Sequence, residues 1–76
     1  MSIGSMIVET ADNAGDAVLK QLALMPQITV YGMKENQIVA VVEGGSTVAV
    51  NETILAIANI DEVLGVYPVS INEHDA

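Results

Sequence analysis

The chain has 76 residues, enough for one domain around one core. It carries two Lys, no Arg, no Cys and ten acidic residues, for a formal net charge of −8. That balance excludes disulfide staples, thiolate chemistry and a phosphate-backbone ligand, and it favours a basic partner. Half of the residues are hydrophobic but Trp and Phe are absent, so the core must be aliphatic. The segment Met1 to Glu9 has no basic start followed by a long apolar run, and does not read as an export signal. No stretch reaches the roughly 18 apolar residues of a membrane span. A soluble, cytoplasmic protein is expected.

Residues 3–10 read as a strand of β-branched and apolar residues. Asp12 or Asn13 is expected to cap a helix from about Ala14 to Met25 by accepting a first-turn N–H. Val18, Leu22 and Met25 fall on one stripe of it, with Ala14 a turn earlier and Leu19 alongside. Gly15 weakens the first turn and Pro26 ends the helix. Residues 27–33 alternate as a second strand. Lys34-Glu35-Asn36 is a polar turn, with Asn36 the residue best suited to a left-handed conformation. Residues 37–43 form the third strand, a hairpin partner of the second.

Gly44-Gly45 breaks that strand, and Ser46 or Thr47 caps a second helix over about Val48 to Asn59. Val50, Ile54, Ile57 and Ala58 share its buried face. The β-branched run Thr47-Val48-Ala49-Val50 leaves its first turn open to a non-helical form. Asp61-Glu62 is a solvated turn. Residues 63–71 form the fourth strand, and Pro68 within it argues for a sheet edge, because proline cannot donate to a ladder. Residues 72–76 are a polar tail, so the domain spans residues 1–71. The order β-α-β-β-α-β with right-handed crossovers gives an α+β, ferredoxin-like sandwich. It has a four-stranded antiparallel sheet, the first and third strands central, and both helices on one face.

The uncovered face should be polar if it is merely wet. Placing Ile38, Ala40 and Val42 under the helices sends Val39, Val41 and Glu43 outward. The same alternation sends Ile3, Ile7 and Glu9 outward on the first strand, Tyr31 on the second, and Tyr67 and Val69 on the fourth. An exposed apolar patch of this extent marks an interaction site, and two Tyr suit it. Glu9 and Glu43 border it. The nine residues Ile3, Ile7, Glu9, Tyr31, Val39, Val41, Glu43, Tyr67 and Val69 are the candidate peptide-binding set.

No catalytic constellation is legible. The single histidine, His74, lies in the tail, so a Ser-His-Asp arrangement has no base. Gly44-Gly45-Ser46 is too short for a phosphate loop and reads as a turn and cap. Neither catalysis, a cofactor nor a metal is expected.

The runs Met25-Pro26-Gln27-Ile28-Thr29-Val30-Tyr31-Gly32 and Asn36-Gln37-Ile38-Val39-Ala40-Val41-Val42-Glu43-Gly44 resemble the NapD-type chaperones of periplasmic nitrate reductase maturation. So does Ile54 to Ile60 leading into Val63-Leu64-Gly65-Val66-Tyr67-Pro68-Val69. The resemblance covers roughly residues 3 to 70. Gln27 stands where those proteins usually have Gly, and Ser70-Ile71 where a Tyr-His pair often ends the last strand. The resemblance implies a cytoplasmic binder of the twin-arginine signal peptide on the reductase's catalytic subunit. Such a binder holds back export until the molybdenum cofactor is inserted. A basic and apolar leader matches an apolar face rimmed by Glu9 and Glu43. The alternative is a small regulatory or oligomerising module that buries the same face in a homodimer, similar to the effector domains of amino-acid-responsive regulators.

Overall fold

The structure is a computed structural model and describes residues 1–73. Six elements follow in order: β1 (Ser2–Thr10), α1 (Gly15–Ala23), β2 (Ile28–Lys34), β3 (Gln37–Gly44), α2 (Thr47–Ala58) and β4 (Val63–Glu73). The strands form one antiparallel sheet in the order β2-β3-β1-β4. This is the expected ferredoxin-like sandwich, with β1 and β3 central and Pro68 on an edge.

Alternation in the central strands is clean. Met6 and Val8 of β1 and Ile38, Ala40 and Val42 of β3 are buried. They face Val18 and Leu22 of α1 and Val50, Ile54 and Ile57 of α2, forming one core that Val63 completes. These side chains carry the stability of the domain, at about 1.5–3 kcal/mol for each large aliphatic fully removed from water. Gly44 closes one end of the core: a Cβ there would lie 3.2 Å from both Ala49 Cβ and Val50 Cγ2, so the missing side chain lets α2 start against the strand.

Several local expectations are corrected. Neither Asp12 nor Asn13 caps α1. Asn13 takes a left-handed conformation (φ 64°), which a capping residue does not adopt, so Ala14 occupies the cap without a side-chain bond. The helix also stops at Ala23, short of Met25. In the hairpin it is Glu35, not Asn36, that is left-handed (φ 57°). Asn36 is instead tied to the end of β1. Its Nδ2–H donates to the Thr10 carbonyl (3.1 Å), and its own carbonyl accepts the Thr10 N–H (2.8 Å). Tertiary bonds thus decide which turn residue bears the strain.

The start of α2 is helical from Thr47 despite its β-branched residues. Ser46 is extended and its Oγ accepts the Ala49 N–H at 3.1 Å, an N-cap worth about 1 kcal/mol. Ala58 is exposed rather than buried, since the buried stripe ends at Ile57. Glu62 is half-buried, and its Oε2 is shielded without a hydrogen-bond partner, so it is not a fully solvated turn residue. β4 continues to Glu73, two residues beyond the expected end, because its pairing with β1 runs on to Ser2. His74 and the rest of the expected tail lie outside the described residues.

Candidate functional site

Both helices pack on one side of the sheet, which leaves the other side uncovered. The register arranges that face in four rows across the strands. At the hairpin end Glu9 stands between Gln37 and Gly65, and Gln37 pairs in turn with Lys34. The next row places Ile7 between Val39 and Tyr67. The third sets Ser5 between Val41 and Ser70, with Thr29 beyond Val41. The fourth pairs Ile3 with Glu43.

All nine candidate residues belong to strands bordering this face, and the structure brings most of them into contact rows. Two of them sit at irregularities that strict alternation does not anticipate. Between Val30 and Gly32 the ladder skips a residue, so Tyr31 is inserted beside Gly32 opposite Val39. It is 71% exposed. The bulge also restores Met33 to the helix side, where its Sδ would lie 2.8 Å from a Cβ on Gly15. In β4 the register shifts between Ser5 and Met6, which makes Val69 the inserted residue, 67% exposed at the sheet edge. The shift brings Ser70 opposite Ser5, and their hydroxyls meet at 3.0 Å.

The apolar surface is therefore not one continuous strip. It concentrates in the row Tyr67, Ile7, Val39 and Tyr31. A hydroxyl row of Ser70, Ser5 and Thr29 separates it from Ile3 and Glu43, with Val41 crossing between. Ser5 was visible in the sequence as the residue between Ile3 and Ile7. Ser70 was not, because only the bulge at Val69 turns it to this face. Gln37 and Gly65 were missed as well, and they complete the row of Glu9.

Tyr67 holds a defined position. Its hydroxyl donates to Glu9 Oε1 at 3.4 Å, and its ring lies over Gly65, where a Cβ would come within 2.9 Å of Oη and 3.1 Å of Cζ. The lack of a side chain at Gly65 is what lets the ring lie flat toward Glu9. Gly65→Val is expected to lift the ring and break the bond to Glu9. The check is the NMR ring-current pattern around Glu9, which collapses in the variant while the core methyl shifts stay in place. Unchanged shifts at Glu9 would show that the ring does not rest there.

On the helix side of the hairpin end lies an open groove of about 620 Å³ lined by Asp12, Asn13, Gly15, Asp16, Met33, Glu35 and Asn36. It is acidic and adjoins the start of α1. Among the described residues no group of three or more His, Cys, Asp or Glu is placed to hold a metal ion. No helix is long and apolar enough to cross a membrane.

A family model described as NapD protein matches residues 1–73. The chain belongs to the NapD family. The solution structure of the E. coli Tat proofreading chaperone protein NapD has the same fold, with a TM-score of 0.83 at 23% sequence identity over 96% of this chain and 78% of that one. No curated protein matches the sequence. Family membership extends to Glu73, so it takes in the whole of β4, including the bulged stretch that carries Tyr67 and Val69.

Proposed function

We propose that this NapD-family chain is a maturation chaperone. It binds the twin-arginine signal peptide of a periplasmic nitrate reductase catalytic subunit in the cytoplasm and delays export until the molybdenum cofactor is in place. Its work is binding, not catalysis. Family membership supports this reading, as does the description of the E. coli structure with the same fold as a Tat proofreading chaperone.

The observation that carries it is the uncovered sheet face, where an apolar row adjoins carboxylates. The proposed contacts are Ile3, Ile7, Glu9, Tyr31, Val39, Val41, Glu43, Tyr67 and Val69. A leader peptide has a basic start followed by an apolar stretch. The row Tyr67, Ile7, Val39 and Tyr31 takes the apolar part, because burying it removes side chains from water at about 25 cal/mol per Å². Carboxylates take the guanidinium groups through charge-assisted hydrogen bonds, which are about twice as strong as neutral ones.

A twin-arginine leader peptide titrated into isotope-labelled protein is expected to shift or broaden the signals of Tyr31, Val39, Val41 and Tyr67. No perturbation at high peptide concentration would sink the reading. Val41→Glu places a charge in the middle of the face and is expected to weaken binding at least tenfold by forcing a carboxylate to lose water on contact. Because Val41 points away from the helices, its melting temperature should stay within a few degrees of the parent. Sedimentation at micromolar concentration is expected to show a monomer. A tight dimer that blocks the peptide would instead assign the face to a second copy of the chain.

A further inference from the structure

The acidity of the chain is polarised along the strands. The loops 11–14, 35–36 and 59–62 meet at the hairpin end, joined by the Thr10 N–H to the Asn36 carbonyl and the Ala11 N–H to the Glu62 carbonyl, both 2.8 Å. Glu9, Asp12, Asp16, Glu35, Asp61 and Glu62 lie there, six of the ten acidic residues, with Lys34 as their one cationic neighbour among the described residues. Lys20, the other lysine, sits in the last turn of α1, toward the opposite end.

The open face repeats this polarity. Glu9 stands one row from Ile7, while Glu43 stands two rows away, beyond the row of Ser70, Ser5 and Val41. Rows on one face of a strand repeat every two residues, or about 7 Å, so Glu43 is about 13 Å from the apolar row. Glu43 has Ile3 in its own row and Val41 in the next, but the larger apolar row of Tyr67, Ile7 and Val39 adjoins Glu9, so a ligand whose basic group directly precedes an apolar stretch fits the Glu9 end better.

We propose that the leader peptide binds in one direction, with its basic start over Glu9 at the hairpin end and its apolar stretch over Tyr67, Ile7 and Val39. This rests on the leader-peptide reading above and adds its polarity. Glu9 is the contacting carboxylate, oriented by the Tyr67 hydroxyl. The five carboxylates around it raise the local negative potential and draw the basic end in first. Of the two carboxylates proposed as contacts on the face, Glu9 takes the arginines, and Glu43 lies under the far end of the peptide.

The test uses a twin-arginine leader peptide carrying a nitroxide either at its basic start or after its apolar stretch, with the full isotope-labelled chain. The label at the basic start is expected to broaden the amides of Glu9, Glu35, Asn36 and Gly65 and to spare those of Ile3, Glu43 and Gly44. The label at the far end gives the converse. Glu9→Gln is expected to lower affinity about tenfold or more, as loss of a hydrogen bond to a charged group does, and Glu43→Gln less than twofold. The reverse broadening pattern, equal broadening from both labels, or a larger loss in Glu43→Gln overturns the direction and leaves the leader-peptide reading intact. No binding of either labelled peptide, with the protein folded, removes that reading and the direction together.

Discussion

Replacing Ile7 by Lys is expected to lower affinity for a twin-arginine leader more than a hundredfold while leaving the domain folded. Ile7 is the centre of the apolar row, between Val39 and Tyr67. Ile7 is already half-buried in the free protein, so covering the rest of it contributes about 1.5 kcal/mol of binding, and each 1.4 kcal/mol is tenfold. The ammonium group adds to this, since it repels the arginines and resists desolvation under the apolar stretch. In the free protein the outward position of Ile7 lets the Lys stem lie along the sheet with its charge in water, so stability should change by about 1 kcal/mol or less. Calorimetric titration beside a thermal melt checks both halves. Binding within tenfold of the parent would show that this row is not the contact.

Leu22→Ala is expected to destabilise the fold severely. Leu22 and Val18 are the two fully buried residues of α1. A helix of nine residues has no stability of its own, so its docking rests on these side chains. Leu→Ala at a buried site costs about 2–5 kcal/mol. A chain of this length is stable by roughly 4–11 kcal/mol in total. At about 4–8 °C per kcal/mol, the melting temperature should fall by about 8 °C or more in a circular dichroism melt. Ala at the exposed neighbour Gln21 serves as control and should shift it by less than about 4 °C. A shift that small for Leu22→Ala would mean that α1 contributes little to the core.

Element order and the inward-outward assignment of the central strands were legible because β1 and β3 are long, regular and apolar on alternate residues. Met6, Val8, Ile38, Ala40 and Val42 had to go inward together, since shifting a strand by one residue would carry its whole set to the other side. Pro68 marked an edge for the same kind of local reason, the missing donor. What local signals missed were features created by pairing. Asn36 carries the residue type for a left-handed turn, yet its side chain is held by Thr10, and Glu35 takes the strained conformation instead.

Composition alone therefore determined a small acidic chain with an aliphatic core and no cysteine chemistry. Periodicity determined that its uncovered face carries Ile7, Val39, Val41 and Tyr67. Tertiary structure decided how that face is organised. The bulges at Tyr31 and Val69 change the count of residues on edge strands only, and no period-two rule reveals where a ladder slips. Through them Ser70 meets Ser5 and Tyr31 stands beside Gly32 opposite Val39, while the unshifted pairing between them sets Tyr67 over Gly65 toward Glu9. The clustering of Glu9 with Asp12, Glu35 and Glu62 at one end is likewise a product of the fold. Residues up to 53 positions apart in sequence share that end because three loops close there, and only their convergence gives the open face a direction.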